Sequence, residues 1–118
     1  MSDVMGDLNP ATHRQVALLL GAERADEMLG LLNQTVTELA GMSHAELAGR
    51  DGLRLVHRLK SEAGLMGFDR LSRACEIVDA AGARGAVPSG DLKDLKIAVT
   101  GALTVVASLR ECRGAPVL

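Results

Sequence analysis

Apolar residues in this chain return every three or four positions, in stretches closed by glycine or proline, and nowhere do they alternate with polar residues as a half-buried strand requires. That periodicity commits the chain to helices. Asn9-Pro10 is a helix start, because Asn can cap free amides and Pro at the first helical position forfeits no hydrogen bond. A short first helix is expected to run to Leu20 and to end at Gly21. Glu23 to Ala40 carries Met28, Leu31, Leu32, Val36 and Leu39 at helical spacing and closes at Gly41. Ser43-His44-Ala45-Glu46 has the form of a capping box. A third helix should therefore begin near His44 and continue to about Met66, in spite of Gly49 and Gly52, each of which costs up to ~1 kcal/mol relative to Ala in a helix interior. Gly67-Phe68-Asp69 is a tight break, after which Leu71, Ala74, Cys75, Val78 and Ala81 mark a fourth helix. The loop from Gly82 to Gly90 ends at Ser89, a candidate cap, and with Asp91 in its first turn a last helix runs to about Cys112.

The expected fold class is therefore all-α. Four helices of about 16 to 24 residues are ~25 to 35 Å long, matched well enough for an antiparallel four-helix bundle, with the short N-terminal helix capping one end. A chain of 118 residues with 47% hydrophobic and 24% charged side chains has the size and balance of a single domain spanning 1–118. Segments 1–8 and 113–118 are expected to be flexible. Tyr and Trp are absent and Phe68 is the one aromatic residue. The core must come from Leu, Ala, Val, Ile and Met, with glycines allowing close helix approach.

The same composition excludes several classes of function. A net charge of -2 and a single aromatic side chain offer neither a basic groove nor a stacking platform, so nucleic acid is not expected as a partner. No apolar run approaches the ~20 residues of a membrane span, and Met1 to Asn9 lacks a basic region followed by a hydrophobic one. Cys75 and Cys112 have neither CxxC nor Cys/His metal spacing, so reduced thiols, no metal site and a soluble cytoplasmic protein are expected. Cys75 lies on an apolar face as a small core residue.

One histidine breaks the amphipathic pattern. On the third helix Leu55, Leu59 and Met66 share a face with Ala48 and Gly52, and His57 points the opposite way. Arg50, Leu53, Arg54, Lys60, Ser61 and Gly64 project within roughly 60° of it. His57 thus sits in a strip of small and cationic neighbours. A lone histidine on such a helix would ordinarily be a solvated surface residue; His13 in the first helix and His44 in a capping turn are expected to be structural or solvated.

The residues around His57 resemble a known family. His57-Arg58-Leu59-Lys60-Ser61-Glu62-Ala63-Gly64-Leu65-Met66-Gly67 is similar to the motif H-x-L-K-G-S-A-x-x-x-G of histidine-containing phosphotransfer (HPt) domains, keeping the histidine, leucine, lysine, alanine and final glycine. Leu71, Cys75 and Asp79 resemble the family's L-x-x-x-C-x-x-x-E pattern, with Asp in place of Glu. Leu19-x-Gly21-x-Glu23 resembles the junction of its first two helices. The resemblance covers nearly the whole chain.

It implies a phosphoryl carrier without turnover of its own, in which His57 accepts a phosphoryl group from one receiver aspartate and passes it to another. The implied partners are response-regulator receiver domains and a hybrid histidine kinase. No cofactor is implied in this chain, magnesium being supplied by the receiver, and a monomer is expected. Imidazole, with an ordinary pKa of ~6.5, is the side chain best suited to such a role at cytoplasmic pH. Lys60, one turn on, is expected to offset the approximately two negative charges of the phosphoryl group. Ser61 and Gly64 should leave room for a flat partner surface. Arg54 and Arg58 flank it, either as partner contacts or as a solvated face. Leu53 and Leu65 either contact a receiver helix or pack against the first helix.

Glu62 departs from the pattern. It replaces a small serine about 40° from the centre of the apolar face, where an unpaired carboxylate would cost several kcal/mol. An arginine on an adjacent helix, Arg73, is its expected partner. The departure leaves an alternative, a helical adaptor that binds a receiver or another regulator without being phosphorylated. A dimeric kinase phosphoacceptor module is disfavoured, because Arg58 follows His57 where that module has an acid and then a proline.

Overall fold

The computed structural model describes the backbone of residues 7–114 and side chains through Arg110. Within those residues the regular structure is helical throughout, as the periodicity requires: α1 (Pro10–Leu20), α2 (Ala22–Ala40), α3 (His44–Leu47), α4 (Arg50–Leu65), α5 (Asp69–Ala83) and α6 (Ser89–Gly114). Most ends follow the chemistry read from the sequence. The Asn9 side chain accepts from the amides of Ala11 and Thr12 and Pro10 opens α1. At α3 both halves of the capping box are made, Glu46 N–H to Ser43 Oγ at 3.1 Å and Ser43 N–H to Glu46 Oε1 at 2.9 Å. The last helix differs slightly. Pro88 supplies the first acceptor, its carbonyl receiving the amides of Asp91 and Leu92, and Ser89 is already helical.

The largest correction concerns the third helix, expected to be continuous from His44 to Met66. It is interrupted at Ala48 and Gly49, and Gly49 is extended (ψ 176°) as the N-cap of α4. The break turns the short α3 back over the first turn of α4. A Cβ on Gly52 would lie 2.6 Å from Leu47 O and 2.7 Å from Leu47 Cα, well inside van der Waals contact with backbone. Gly52 is therefore the residue that lets α3 lie down, rather than a weak point in one long helix. Gly67 has the second essential backbone role. Its φ of +91° is the left-handed region that side chains avoid. Its carbonyl accepts from Asn9 N–H at 2.6 Å, which anchors the start of α1 to the α4–α5 turn.

Helix α4 packs on α5, α5 on α6, α6 on α2 and α2 on α4, while α1 lies along α2 and α3 bridges α4 and α6. One contiguous core results, built from Leu29, Leu32, Val36 and Leu39 of α2, Val56, Leu59 and Ala63 of α4, Leu71, Cys75 and Val78 of α5 and Leu95, Val99, Val105 and Val106 of α6. Phe68 is fully buried at the α4–α5 turn. The core uses no isoleucine, contrary to expectation, because Ile77 and Ile97 are about half exposed. Lys96 holds α6 to the end of α2 by donating from Nζ to the carbonyl of Ala40 at 2.8 Å and to that of Met42. These carbonyls lack donor partners within their own helix end, so the ammonium completes the terminus.

The flexibility expected of segments 1–8 and 113–118 lies mostly outside the described residues. Of the residues described there, Asp7 is buried, 3.4 Å from Arg70 Nη1, and α6 runs through Gly114. Among the described residues no helix is long and apolar enough to cross a membrane.

Candidate functional site

His57 stands at the middle of α4, one residue beyond the buried Val56 and two before the buried Leu59, so the core fixes the helix face and leaves the imidazole outward. Its side chain is 68% exposed. Across the α4–α5 seam Asp79 presents both carboxylate oxygens to His57 Nδ1 at 3.0 Å. Lys60 Nζ, one turn on from His57, donates to Asp79 Oδ2 at 2.9 Å. The three side chains form a chain of contacts in which one carboxylate serves the imidazole and the ammonium together.

The electrostatics decide the tautomer. The Lys60 ammonium hydrogen bond holds the Asp79 carboxyl below its usual range against a counteracting desolvation, with His57 lowering it further. An ionised carboxylate only accepts. The proton in the His57 contact therefore sits on Nδ1, and Nε2 carries the lone pair in the neutral ring. The same hydrogen bond raises the Lys60 ammonium above its ordinary value, so it stays charged. Cys75, one turn before Asp79 and buried, has its thiol pushed up to about 12, chiefly by desolvation and then by the Asp79 charge. It is a packed core residue rather than a nucleophile.

Asp79 belongs to this site and sequence reasoning did not include it among the site residues. The signal was available in the Leu71, Cys75, Asp79 spacing, which puts Asp79 one turn after a buried residue at the edge of the α5 inner face.

The remaining candidates are distributed unevenly. Ser61 and Leu65 are exposed on the His57 side of α4, Leu65 by 57%. Arg54 is exposed and lies 3.7 Å from Asp51. Arg58 turns toward α2, where its Nη2 donates to Thr35 Oγ1 at 3.1 Å. Leu53 is partly buried and packs on α5, its methyls filling the space a Cβ on Gly82 would need. Gly64 has a reason beyond partner access: a Cβ there would sit 3.1 Å from Ser72 Oγ, and Ser72 in turn donates to Lys60 O at 2.8 Å. That contact clamps α5 to the turn of α4 that carries Lys60.

Glu62 does not reach Arg73. Its Oε1 lies 3.7 Å from Nε of Arg58, four residues back on the same helix. That oxygen is shut off from solvent and makes no hydrogen bond. The pair is close enough for attraction and too long for a bond, so Glu62 is tolerated at the α2–α4 edge without contributing much. Among the described residues no group of three His, Cys, Asp or Glu side chains could hold a metal ion. No family model, curated protein or solved structure matches this chain.

Proposed function

We propose that this protein is a histidine phosphotransfer carrier, an antiparallel four-helix bundle with an added N-terminal helix, which relays a phosphoryl group between receiver-domain aspartates through His57. The observation that carries the reading is the exposed imidazole whose Nδ1 is engaged by Asp79. Such an arrangement leaves Nε2 as the free nucleophilic atom, at the surface, with its lone pair turned outward.

In the proposed step Nε2 attacks the phosphorus of a receiver's aspartyl phosphate. The N–P bond forms as the P–O bond to the aspartate breaks, and that carboxylate leaves with the bonding electrons. The ring, still protonated on Nδ1, becomes cationic as the bond forms, and Asp79 offsets the charge at the atom where it develops. Lys60 places an ammonium beside the same carboxylate, so the site holds a cation near the incoming phosphoryl oxygens. The reverse step passes the group to a second receiver. In the HPt resemblance the receiver brings the magnesium ion, and this chain supplies position and charge rather than an activated base.

The alternative, an unphosphorylated adaptor, needs the surface but not the imidazole. The two separate with His57→Gln, measured for receiver binding by calorimetry and for relay in a reconstituted system. The carrier reading expects relay to be lost with binding retained. Signalling that survives in that variant, with receiver binding intact and no phosphoryl group on the protein, would establish the adaptor.

A further inference from the structure

Among the described side chains, Lys60 and Lys96 are the lysines or arginines that are partly buried. Lys60 has a carboxylate partner, Asp79 at 2.9 Å. Lys96 has none within ion-pair distance among the described residues, and its ammonium donates to the carbonyls of Ala40 and Met42. An ammonium has three donors, so one remains. A partly desolvated cation without a counter-ion is costly, and an anion relieves that cost.

Lys96 lines a pocket of about 300 Å³ between α3 and α6, together with His44, Lys93, Ile97 and Thr100. No acid is among these residues. On α6, Lys93 and Thr100 project within about 60° of Lys96, whereas Asp91 and Asp94 project about 140° or more away. Asp94 lines the neighbouring groove with Arg73 and Ile77 instead. Glu46 of α3 acts on Lys96 electrostatically, yet it stands outside the pocket wall with Oε1 held by the Ser43 amide at 2.9 Å. Counting Glu46 against the two ammoniums still leaves the pocket net positive. The Thr100 hydroxyl is committed to the Lys96 carbonyl at 3.0 Å, so the donors for a ligand are the exposed Lys93, the remaining N–H of Lys96 and the His44 ring, which carries an N–H in either protonation state.

We propose that this pocket binds a small phosphate monoester, with the phosphoryl oxygens set against Lys93, Lys96 and His44 and the ester carbons resting on Ile97. A phosphate monoester brings about 1.5 to 2 negative charges, which answers two ammoniums better than one carboxylate does. Lysine binds phosphate as a point charge without needing a bidentate fork, and a cleft walled by one sign of charge concentrates such an anion. The volume is at the small end of small-molecule sites, which suits a compound of a few carbons. Neither His57, Lys60 nor Asp79 belongs to the pocket wall, so the inference does not depend on phosphotransfer.

The chain has two isoleucines, Ile97 in this pocket and Ile77 outside it, so selective methyl labelling gives a reporter and an internal reference. The full chain is titrated at constant ionic strength with inorganic phosphate, with propyl phosphate, with butyrate, and with phosphatidic acid vesicles. The Ile97 methyl should shift saturably with both phosphates, more tightly with propyl phosphate, and further than Ile77. Lys93→Gln should weaken binding at least roughly tenfold, the scale of one charged hydrogen bond. Arg73→Gln, which removes a charge from the neighbouring groove, should bind as wild type, and so should His57→Ala. Absence of a saturable Ile97 shift, Lys93→Gln binding as wild type, or Arg73→Gln weakening binding as much as Lys93→Gln would overturn the proposal. Butyrate binding as tightly as propyl phosphate, or a stronger response to the vesicles, would overturn the assigned ligand class.

Discussion

Replacing Gly52 by alanine distinguishes the broken helix from a continuous one by the sign of the effect. In an uninterrupted helix from His44 to Met66, glycine to alanine at position 52 gains up to ~1 kcal/mol of helix propensity. In the structure the added Cβ falls 2.6 Å from Leu47 O and 2.7 Å from Leu47 Cα. Overpacking costs about 1–3 kcal/mol, and the upper part of that range applies because the obstacle is backbone on a short, capped helix rather than a flexible side-chain tip. The propensity gain is then outweighed, for a net loss of about 2 kcal/mol. At roughly 4 °C per kcal/mol for a domain of this size, Tm should fall by about 8 °C. Gly30, in the middle of α2 with nothing within 4 Å of its added Cβ, is the internal control. Gly30→Ala should raise Tm by up to ~4 °C, since only the propensity term remains. Thermal unfolding followed by circular dichroism measures both. A Gly52→Ala protein that melts at or above the wild type would refute the placement of α3 on α4.

Three further outcomes follow from the site. Glu62→Ser should leave Tm unchanged or raise it, because the carboxylate has a solvent-excluded oxygen without a hydrogen bond and only a 3.7 Å approach to Arg58; a clear loss of Tm would show that the pair stabilises. Asp79→Asn should slow phosphoryl transfer by roughly ten- to a hundredfold, the scale of losing orientation at a reacting group, and an unchanged single-turnover rate would remove Asp79 from the site. The Asp79 carboxyl is lowered in the folded state, so its contribution is present above the ordinary carboxylate pKa of ~3.9 and is lost as pH falls through the folded value. The Tm difference between wild type and Asp79→Asn should therefore close on acidification below about pH 4, and a gap that persists there would contradict the ion pair.

Helix ends were legible where one residue's chemistry determines them. Asn9, the Ser43 and Glu46 pair, and Gly67 each satisfy or free a backbone group within a few positions, and such local needs are written in adjacent letters. The break at Ala48 and Gly49 was not legible, because glycine in a helix is only a modest local cost and the deciding factor is the close approach of Leu47 to Gly52. At the site, the outward direction of His57 followed from the spacing of its buried neighbours. Asp79 is 22 residues away along the chain, and its contact with His57 depends on the rotation of α5 against α4, which periodicity constrains only to within a face. The same limit explains Glu62. Its angle on α4 indicated a carboxylate near the core, but whether Arg58 or Arg73 answers it depends on which side of the helix faces α2. The small size of Gly64 suggests clearance for a partner, and the Ser72 contact gives it a packing role that only the neighbouring helix reveals.

The most direct test of the carrier reading is to incubate the protein with a receiver domain bearing a radiolabelled aspartyl phosphate and to follow the label. The expected result is rapid, acid-labile and alkali-stable labelling of the wild type that is absent from His57→Ala. A wild type that takes up no label from any receiver tried, or a His57→Ala protein labelled as well as the wild type, would contradict it.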